Sequence, residues 1–162
     1  MKRKALLWII SALIIAAVLV GGYFYSQESQ KGEEQKPAKS YNFLLADTTE
    51  KRTQGLSGRD FLSDDTVMFF DFEEDDICGI WMKDMKFSID LVWIDSAFKI
   101  IDLKESVAPS TYPEIFSSIS PCRYLIEVKE GFVKENAVEI GDKVSVDFNN
   151  STLKITKNLQ QP

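Results

Sequence analysis

The sequence predicts an all-β fold with minor α content: a compact antiparallel β-sandwich or barrel with one or two short helices, behind an N-terminal transmembrane helix. Two observations lead to this prediction. From residue 41 onwards, short runs rich in Phe, Ile and Val alternate apolar with polar positions and are separated by Gly, Asp, Ser and Pro, which is typical of strands. Before them, three basic residues precede about 21 residues without a charge, enough for a helix to cross a bilayer.

Residues 1–25 are predicted to form an uncleaved signal anchor. The apolar run at 5–25 is longer than the core of a secretory signal peptide, and Gly21 and Gly22 lead into aromatic residues instead of a small-x-small cleavage site. Cleavage remains the alternative. Because the basic residues precede the span, the positive-inside rule predicts a single-pass protein of the cell membrane, with a cytoplasmic N-terminus and an extracytoplasmic C-terminal domain.

The predicted folded domain covers residues 41–162, behind a polar stretch at 26–40 that we interpret as a flexible tether. The domain contains 13 basic and 22 acidic residues, a net charge of about −9, which argues against nucleic acid as a partner. The chain contains no histidine, which removes Ser-His-Asp and Cys-His catalysis and the usual imidazole zinc site from consideration. We expect no cofactor and no metal.

Eight strands and two short helices are expected in the domain. The strands are predicted at residues 41–46, 67–72, 80–82, 88–94, 99–103, 123–128, 143–148 and 153–156. The first helix is expected to begin after Asp47 as N-cap, with Glu50 completing a capping box, and to end at Gly55. The second is expected around residues 132–136. Residues 106–121 are interpreted as a long connection with little structure of its own.

Asp90 is the carboxylate of most interest, because it lies in a strand that is expected to be covered on both faces. A buried charge needs a partner, and Arg52, Arg59 and Lys83 are the candidates. The two arginines have a second interpretation. They could form an anion site, since guanidinium groups hold carboxylate or phosphate in a bidentate manner, or they could form ion pairs with Asp90 and Glu127.

Trp81, Met82 and Lys83 form a candidate binding platform. An indole face suits a sugar ring or a cation, and a lysine suits an anionic group. The competing interpretation is that Trp81 and Met82 fill the core while Lys83 pairs with Asp90.

Two further groups of residues have competing interpretations. Cys78 and Cys122 are the only cysteines and each precedes a predicted strand, so they are a candidate disulfide in an extracytoplasmic domain, the alternative being two separate thiols. The acidic run DFEEDD at 71–76 could attract a hard cation, but it lacks the spacing and turn glycine of an EF-hand loop.

Four blocks in order resemble the domain of unknown function (DUF) 192 family of bacteria and archaea. The blocks are ADTTEKRTQGLSGR at 46–59, VMFFDF at 67–72, WMKDMKFSIDLVWID at 81–95 and YLIEVKEGFVKENAVEIGDKV at 124–144. The resemblance implies a compact all-β domain that is frequently exported behind a signal or anchor. It implies no established activity.

We therefore favour a membrane-anchored extracytoplasmic binding or interaction module over an enzyme. The expected partners are the membrane, through residues 5–25, and a small anionic or carbohydrate ligand or an envelope protein. The candidate pocket residues are Arg52, Arg59, Trp81, Met82, Lys83 and Asp90. One alternative is a carboxylate-based hydrolase of an envelope substrate that uses Asp90 and Glu127 as acid and base; another is a structural protein of envelope assembly.

Overall fold

In a computed structural model of the chain, the described residues are 20, 22 and 38–158. Most of the predicted anchor at 1–25 and of the predicted tether at 26–40 lies outside these residues. Within the described part of the chain, no helix is both long enough and apolar enough to cross a membrane.

Residues 38–158 form a mostly β domain. Its elements are β1 (Ser40–Ala46), α1 (Thr49–Gln54), β2 (Thr66–Asp76), β3 (Gly79–Trp81), β4 (Ile89–Ile94), β5 (Ile100–Val107), a 3-10 turn (Pro109–Thr111), β6 (Ile115–Ser117), β7 (Cys122–Lys129), α2 (Phe132–Glu135), β8 (Lys143–Asp147) and β9 (Thr152–Thr156). All eight predicted strands and both predicted helices are present. Strand β6 was not expected, because its residues lie within the stretch at 106–121 that was interpreted as a long connection.

Seven of the strands form one sheet, in the order β5-β4-β7-β2-β1-β9-β8. Most neighbours are antiparallel, but β1 and β2 run parallel, so the expectation of a wholly antiparallel fold was wrong. A parallel pair cannot be joined by a tight turn and needs a crossover connection. Residues 47–65, which include α1, provide that crossover and thereby place α1 against the sheet.

The sheet curls until its two edge strands meet. A bridge joins Lys99, just before β5, to Lys143 at the start of β8. The Ile100 amide donates a hydrogen bond to the Asp142 carbonyl (2.9 Å), and the Val144 amide donates one to the Phe98 carbonyl (2.8 Å). The architecture is therefore a curled half-barrel sheet, closer to the predicted barrel than to a sandwich of two stacked sheets.

Each face of the curled sheet is covered by a hydrophobic core of its own. The inner core takes residues from all seven strands, among them Phe43, Phe69, Ile126 and Leu153. The outer core includes Leu56, Phe70, Met82, Trp93 and Leu125. Strand β4 separates the two cores, and all six of its residues are buried, as the sequence predicted.

A two-stranded ribbon of β3 and β6 covers part of the outer core. Ile80 pairs with Phe116 and Trp81 with Ile115 in antiparallel register. Residues 106–121 thus contain the end of β5, a 3-10 turn and β6, which corrects the expectation of little structure. The ribbon could not be predicted locally because its two strands are more than 30 residues apart in the chain.

A disulfide between Cys78 and Cys122, with their Cα atoms 6.1 Å apart, joins the beginnings of β3 and β7. Beside it, the indole Nε1 of Trp93 donates a hydrogen bond to the Cys78 carbonyl (3.0 Å). The ribbon is therefore attached to the main sheet at this end.

Helix α1 begins one residue later than predicted. Its N-cap is Thr48, whose hydroxyl accepts a hydrogen bond from the Lys51 amide (3.3 Å), while Asp47 forms an ion pair with the Lys51 side chain (2.7 Å). Both Asp and Thr are good N-cap residues, so composition alone did not separate them. The helix ends at Gly55, as expected.

Candidate functional site

A cleft of about 300 Å³ lies between α1 and the β3–β6 ribbon on the outer side of the sheet. Its volume is at the lower end of the range for small-molecule pockets. The lining residues are Thr49, Arg52, Thr53, Gln54, Leu56, Ser57, Phe72, Gly79, Ile80, Trp81, Met85 and Glu127.

Glu127 is the buried carboxyl of this cleft. It lies on β7 between Met68 of β2 and Leu91 of β4, and only 4% of its surface is exposed. The Leu56 backbone amide donates a hydrogen bond to the carboxyl. Within residues 38–158, Oε2 of Glu127 is the one buried side-chain oxygen or nitrogen without a hydrogen-bond partner, and most buried polar atoms in proteins do have such a partner.

Burial raises the pKa of Glu127 from the ordinary value of 4.5 to about 8, although the hydrogen bond from Leu56 acts in the opposite direction. Removal from water penalises the charged form of a carboxyl, and the apolar neighbours Met68 and Leu91 offer no compensating charge. Glu127 is therefore mostly protonated at neutral pH. A protonated carboxyl can both donate and accept a hydrogen bond.

Gly55, at the end of α1, allows the helix to pack directly on this carboxyl. Its φ of +48° lies in the left-handed region, which favours glycine. A Cβ atom at this position would lie 3.2 Å from the Phe70 ring and 3.3 Å from Oε2 of Glu127. Any larger residue would therefore disturb both the helix end and the carboxyl.

Arg52 lines the cleft, but Nη1 of its guanidinium is already engaged. Nη1 donates to the carbonyls of Asp47 (3.1 Å) and Asp71 (2.7 Å) and lies 3.2 Å from a carboxylate oxygen of Glu73. Glu73 lies in the part of β2 where the pairing with β7 is irregular, between Asp71 and Asp76. These contacts reduce the capacity of Arg52 to serve as the anion site proposed from the sequence.

The structure divides the predicted platform of Trp81, Met82 and Lys83, because β3 ends at Trp81 and the chain then turns. Trp81 lines the cleft with 43% of its surface exposed, while Met82 is 1% exposed in the outer core. Lys83 is exposed and lies outside the lining. Arg59 is likewise exposed and outside it. The structure thus brings only Arg52 and Trp81 of the six predicted pocket residues to the cleft.

Asp90 lies on the opposite face of the sheet. It is fully buried and accepts hydrogen bonds from the backbone amides of Ser106 (2.9 Å) and Val133 (3.1 Å). The expectation that Asp90 pairs with Arg52, Arg59 or Lys83 was therefore wrong: within the described residues its partners are main-chain donors, and Arg52 is on the other side of β4.

Asp90 and Glu127 are consequently not brought together. In the β4–β7 register Asp90 pairs with Val128, and Leu91 pairs with Glu127. Successive side chains of a strand point to opposite faces, so the two carboxyl groups belong to different cores. The predicted acid and base do not flank one cleft.

Sequence reasoning named Glu127 as an ion-pair partner of the arginines and as one carboxylate of the hydrolase alternative, but left it out of the candidate pocket. The available signal was a single carboxylate within the apolar run YLIEV at 124–128. The polar residues Thr49, Thr53 and Gln54 were also missed, because their place in the lining depends on how α1 packs against the ribbon.

The acidic run at 71–76 forms the bulged end of β2. Arg123 Nε lies 3.0 Å from a carboxylate oxygen of Asp71. In the part of the chain that the structure describes, no group of three or more potential ligand side chains is arranged to hold a metal ion.

The domain belongs to the class of mostly β proteins that are built on one curled sheet, and it carries a small cleft on the outer side of that sheet. The chain matches the DUF192 family, described as Uncharacterized ACR, over residues 30–146. It therefore belongs to that family, which agrees with the resemblance found in the four sequence blocks.

Similar proteins support the family and the fold. A UPF0127 protein from Thermococcus gammatolerans is 30% identical over 103 residues, which is 64% of this chain and 65% of the relative; the chain thus spans slightly less than two thirds of that protein. A crystal structure from Sinorhizobium meliloti 1021, described as that of a "putative transcription regulator", is 33% identical with a TM-score of 0.60, covering 62% of this chain and 78% of that one. A protein of unknown function from Novosphingobium aromaticivorans is 20% identical with a TM-score of 0.61, covering 64% and 73%, and shows the fold alone.

Proposed function

We propose that this protein is a binding module that holds a small ligand in the cleft between α1 and the β3–β6 ribbon. The observation that carries the proposal is the carboxyl of Glu127, which is 4% exposed, lines the cleft and has an oxygen without a partner in the described domain. A buried polar atom without a hydrogen bond costs free energy. A ligand that supplied the missing partner would recover that cost.

The wall formed by β3 adds contact area for a ligand. Trp81 leaves 43% of its surface exposed, and aromatic side chains contribute strongly to binding because they present a large rigid surface. The disulfide attaches this wall to the strand that carries Glu127. The two main contact groups of the cleft are therefore held at a defined separation before the ligand arrives, which reduces the entropy lost on binding.

A thermal-shift screen of the full chain against sugars, anions, metal ions and cell-wall fragments tests the proposal. Wild-type protein, Trp81→Ala and the control Phe61→Ala are compared. Phe61 is an aromatic residue with 74% exposure that does not line the cleft. A ligand at about one hundred times its dissociation constant stabilises the folded state by about 2.7 kcal/mol.

We expect at least one ligand class to raise the melting temperature of wild-type protein and of Phe61→Ala, with a much smaller increase for Trp81→Ala. An equal shift in all three proteins would place the ligand elsewhere on the molecule. The absence of any shift across all the ligand classes would contradict the proposal.

The hydrolase alternative is weaker, because the carboxyl groups of Asp90 and Glu127 lie on opposite faces of the sheet. The hydrolase alternative requires a substrate that wild-type protein consumes and that the Asp90→Asn variant does not. A role in envelope assembly would instead be supported by one stoichiometric partner that copurifies with the full chain and is unaffected by Trp81→Ala.

The description of the Sinorhizobium structure raises regulation of transcription as a further candidate. The net charge of about −9 over residues 41–162 opposes it for this chain, because nucleic-acid binding depends largely on Lys and Arg contacts to phosphate. Salt-dependent retardation of a DNA duplex by the full chain would favour it.

We also propose that the domain works at the outer face of the cell membrane. The support is the sequence of residues 1–40, in which a basic cluster, an apolar run at 5–25 and a polar stretch follow one another. On this proposal the ligand is a small molecule or an envelope component that reaches the domain from outside the cell.

A further inference from the structure

The cleft has two walls of different chemistry. Helix α1 contributes hydroxyl and amide side chains, those of Thr49, Thr53 and Gln54. The opposite wall is apolar and aromatic and consists of Phe72, Ile80, Trp81 and Met85. A ligand that fills such a space needs one face rich in C–H groups and one edge rich in hydrogen-bonding groups.

We propose that the ligand is a neutral, hydroxyl-rich ring, that is, a single sugar unit, which stacks on Trp81 and exchanges hydrogen bonds with Glu127 and with the polar wall of α1. This inference rests on the proposed binding function and names the class of its ligand. A sugar ring has the required arrangement, since its C–H groups pack on indole while its hydroxyl groups lie around its edge. The small volume of the cleft suits one ring better than a longer chain.

The charges around the cleft support a neutral ligand. Arg52 and Glu127 are the only residues of the lining with ionisable side chains. Glu127 is mostly protonated at neutral pH, and Nη1 of Arg52 is engaged by two carbonyls and by the carboxylate of Glu73. This arrangement offers a cation only the indole of Trp81, and it offers an anion only the partly engaged guanidinium of Arg52.

The surroundings of Glu127 match a hydroxyl group. Gly55 lies against its carboxyl and the Leu56 amide donates to it, while Met68 of β2 and Leu91 of β4 are its cross-strand neighbours. None of them is titratable. Burial keeps the pKa of Glu127 at about 8, so the protonated carboxyl both donates and accepts, as a sugar hydroxyl does.

Isothermal titration calorimetry of the full chain tests this inference at pH 6 and pH 9. The probes are methyl glycosides of glucose, galactose, mannose and N-acetylglucosamine, with tetramethylammonium and inorganic phosphate as charged probes. Wild-type protein is compared with Glu127→Gln, Trp81→Phe, Trp81→Ala and the control Phe61→Ala. Circular dichroism establishes that each variant is folded at both pH values.

We expect wild-type protein to bind at least one glycoside and neither charged probe. Its affinity should fall about tenfold from pH 6 to pH 9, because about one tenth of Glu127 remains protonated one pH unit above its pKa. Glu127→Gln, which cannot ionise, should change less than twofold over the same range. Trp81→Phe should retain most of the binding, Trp81→Ala should lose it, and Phe61→Ala should equal wild type.

Two other results would overturn the inference while leaving the binding function intact. Binding of tetramethylammonium that strengthens at pH 9 would identify a cationic ligand, since an ionised Glu127 would attract it. Binding of phosphate that is lost in Arg52→Gln would identify an anionic one. If no probe binds and the thermal-shift screen also yields nothing, the proposed binding function itself is wrong.

Discussion

Glu127 and Asp90 are two buried carboxyl groups on neighbouring strands, and they have opposite surroundings. Asp90 accepts two main-chain hydrogen bonds at 2.9 and 3.1 Å, which satisfies both of its oxygens. Glu127 has one main-chain donor and one oxygen without a partner. Asp90 therefore has a structural role between β5 and α2, whereas Glu127 keeps an unsatisfied oxygen next to the cleft.

The raised pKa of Glu127 predicts a pH dependence of stability. The folded state holds the proton up to about pH 8, whereas the unfolded chain releases it near the ordinary value of 4.5. The stabilisation is therefore complete below about pH 4.5 and is lost as the pH rises through about 8, by an amount on the order of 5 kcal/mol. Glu127→Gln should remove this decline and be more stable than wild type above pH 8.

Urea unfolding of the full chain between pH 5 and pH 9 measures this effect. Glu130→Gln is the matched control, because Glu130 follows the same strand and is exposed. Its pH profile should equal that of wild type. Parallel profiles for Glu127→Gln and wild type would show that the Glu127 carboxyl is not the origin of the decline.

At the scale of elements, the cleft depends on how closely α1 approaches the sheet. Gly55 and Gly58 both have positive φ, +48° and +77°, so an alanine at either position carries a backbone cost of at least about 1 kcal/mol. At Gly55 the ψ of −126° lies outside the left-handed helical region, which raises that cost for alanine further. Only at Gly55 would the new methyl group contact Phe70 and Glu127. At Gly58 nothing lies within 4 Å.

Gly55→Ala should therefore destabilise the protein more than Gly58→Ala does, by roughly a further 1 to 2 kcal/mol of overpacking. Urea unfolding of both variants at pH 6 gives the two values. The double variant Glu127→Gln with Gly55→Ala should lose an amount of unfolding free energy that differs from the sum of the two single losses, because both changes act on the same contact. Equal losses for the two glycine variants would mean that the end of α1 does not pack as closely as described.

The disulfide between Cys78 and Cys122 predicts a second effect on stability at the scale of elements. Residues 78 and 122 are 44 positions apart, and the chain-entropy model assigns about 4 kcal/mol to closing a loop of this length. The Cys78→Ser, Cys122→Ser double variant should be less stable than oxidised wild type by an amount of that order. Reduced wild type should resemble the double variant.

Alkylation followed by mass spectrometry checks the pairing itself. The denatured full chain should gain no alkyl group without reductant and two after reduction. Two alkyl groups without reduction would show separate thiols, the alternative that the sequence left open.

At the scale of the whole molecule, one curled sheet separates two cores. The inner core closes the half-barrel, and the outer core supports α1 and the β3–β6 ribbon, between which the cleft lies. On the proposed function, changes that affect only the outer surface should alter ligand binding while the inner core preserves the fold.

The predicted anchor gives a test on the complete chain. Wild-type protein should remain in the membrane pellet after a carbonate wash. Leu13→Arg with Ile14→Arg should shift it to the supernatant, because an arginine at the centre of a span costs roughly 2.5 to 3.5 kcal/mol. The apolar control Leu13→Ile with Ile14→Leu should behave as wild type. Wild-type protein in the supernatant would contradict the anchor.

Local patterns in the sequence predicted most of the fold. Alternation of apolar and polar residues identified eight strands, because the two faces of a strand meet different surroundings. Gly55 identified the end of α1, since few other residues adopt its backbone angles. The continuous burial of β4 was also predicted from its composition. Each of these features depends on neighbours within a few residues of the chain.

The sequence by itself determined the strands, the short helices, the acidic surface and the family to which the chain belongs. The tertiary structure alone decided the parallel pairing of β1 with β2, the ribbon of β3 with β6, and the cleft. It also decided that Glu127 and not Asp90 is the carboxyl without a full set of partners. The physical reason is that burial and hydrogen bonding depend on residues brought together from distant parts of the chain, such as Leu56 on Glu127 and Ser106 on Asp90.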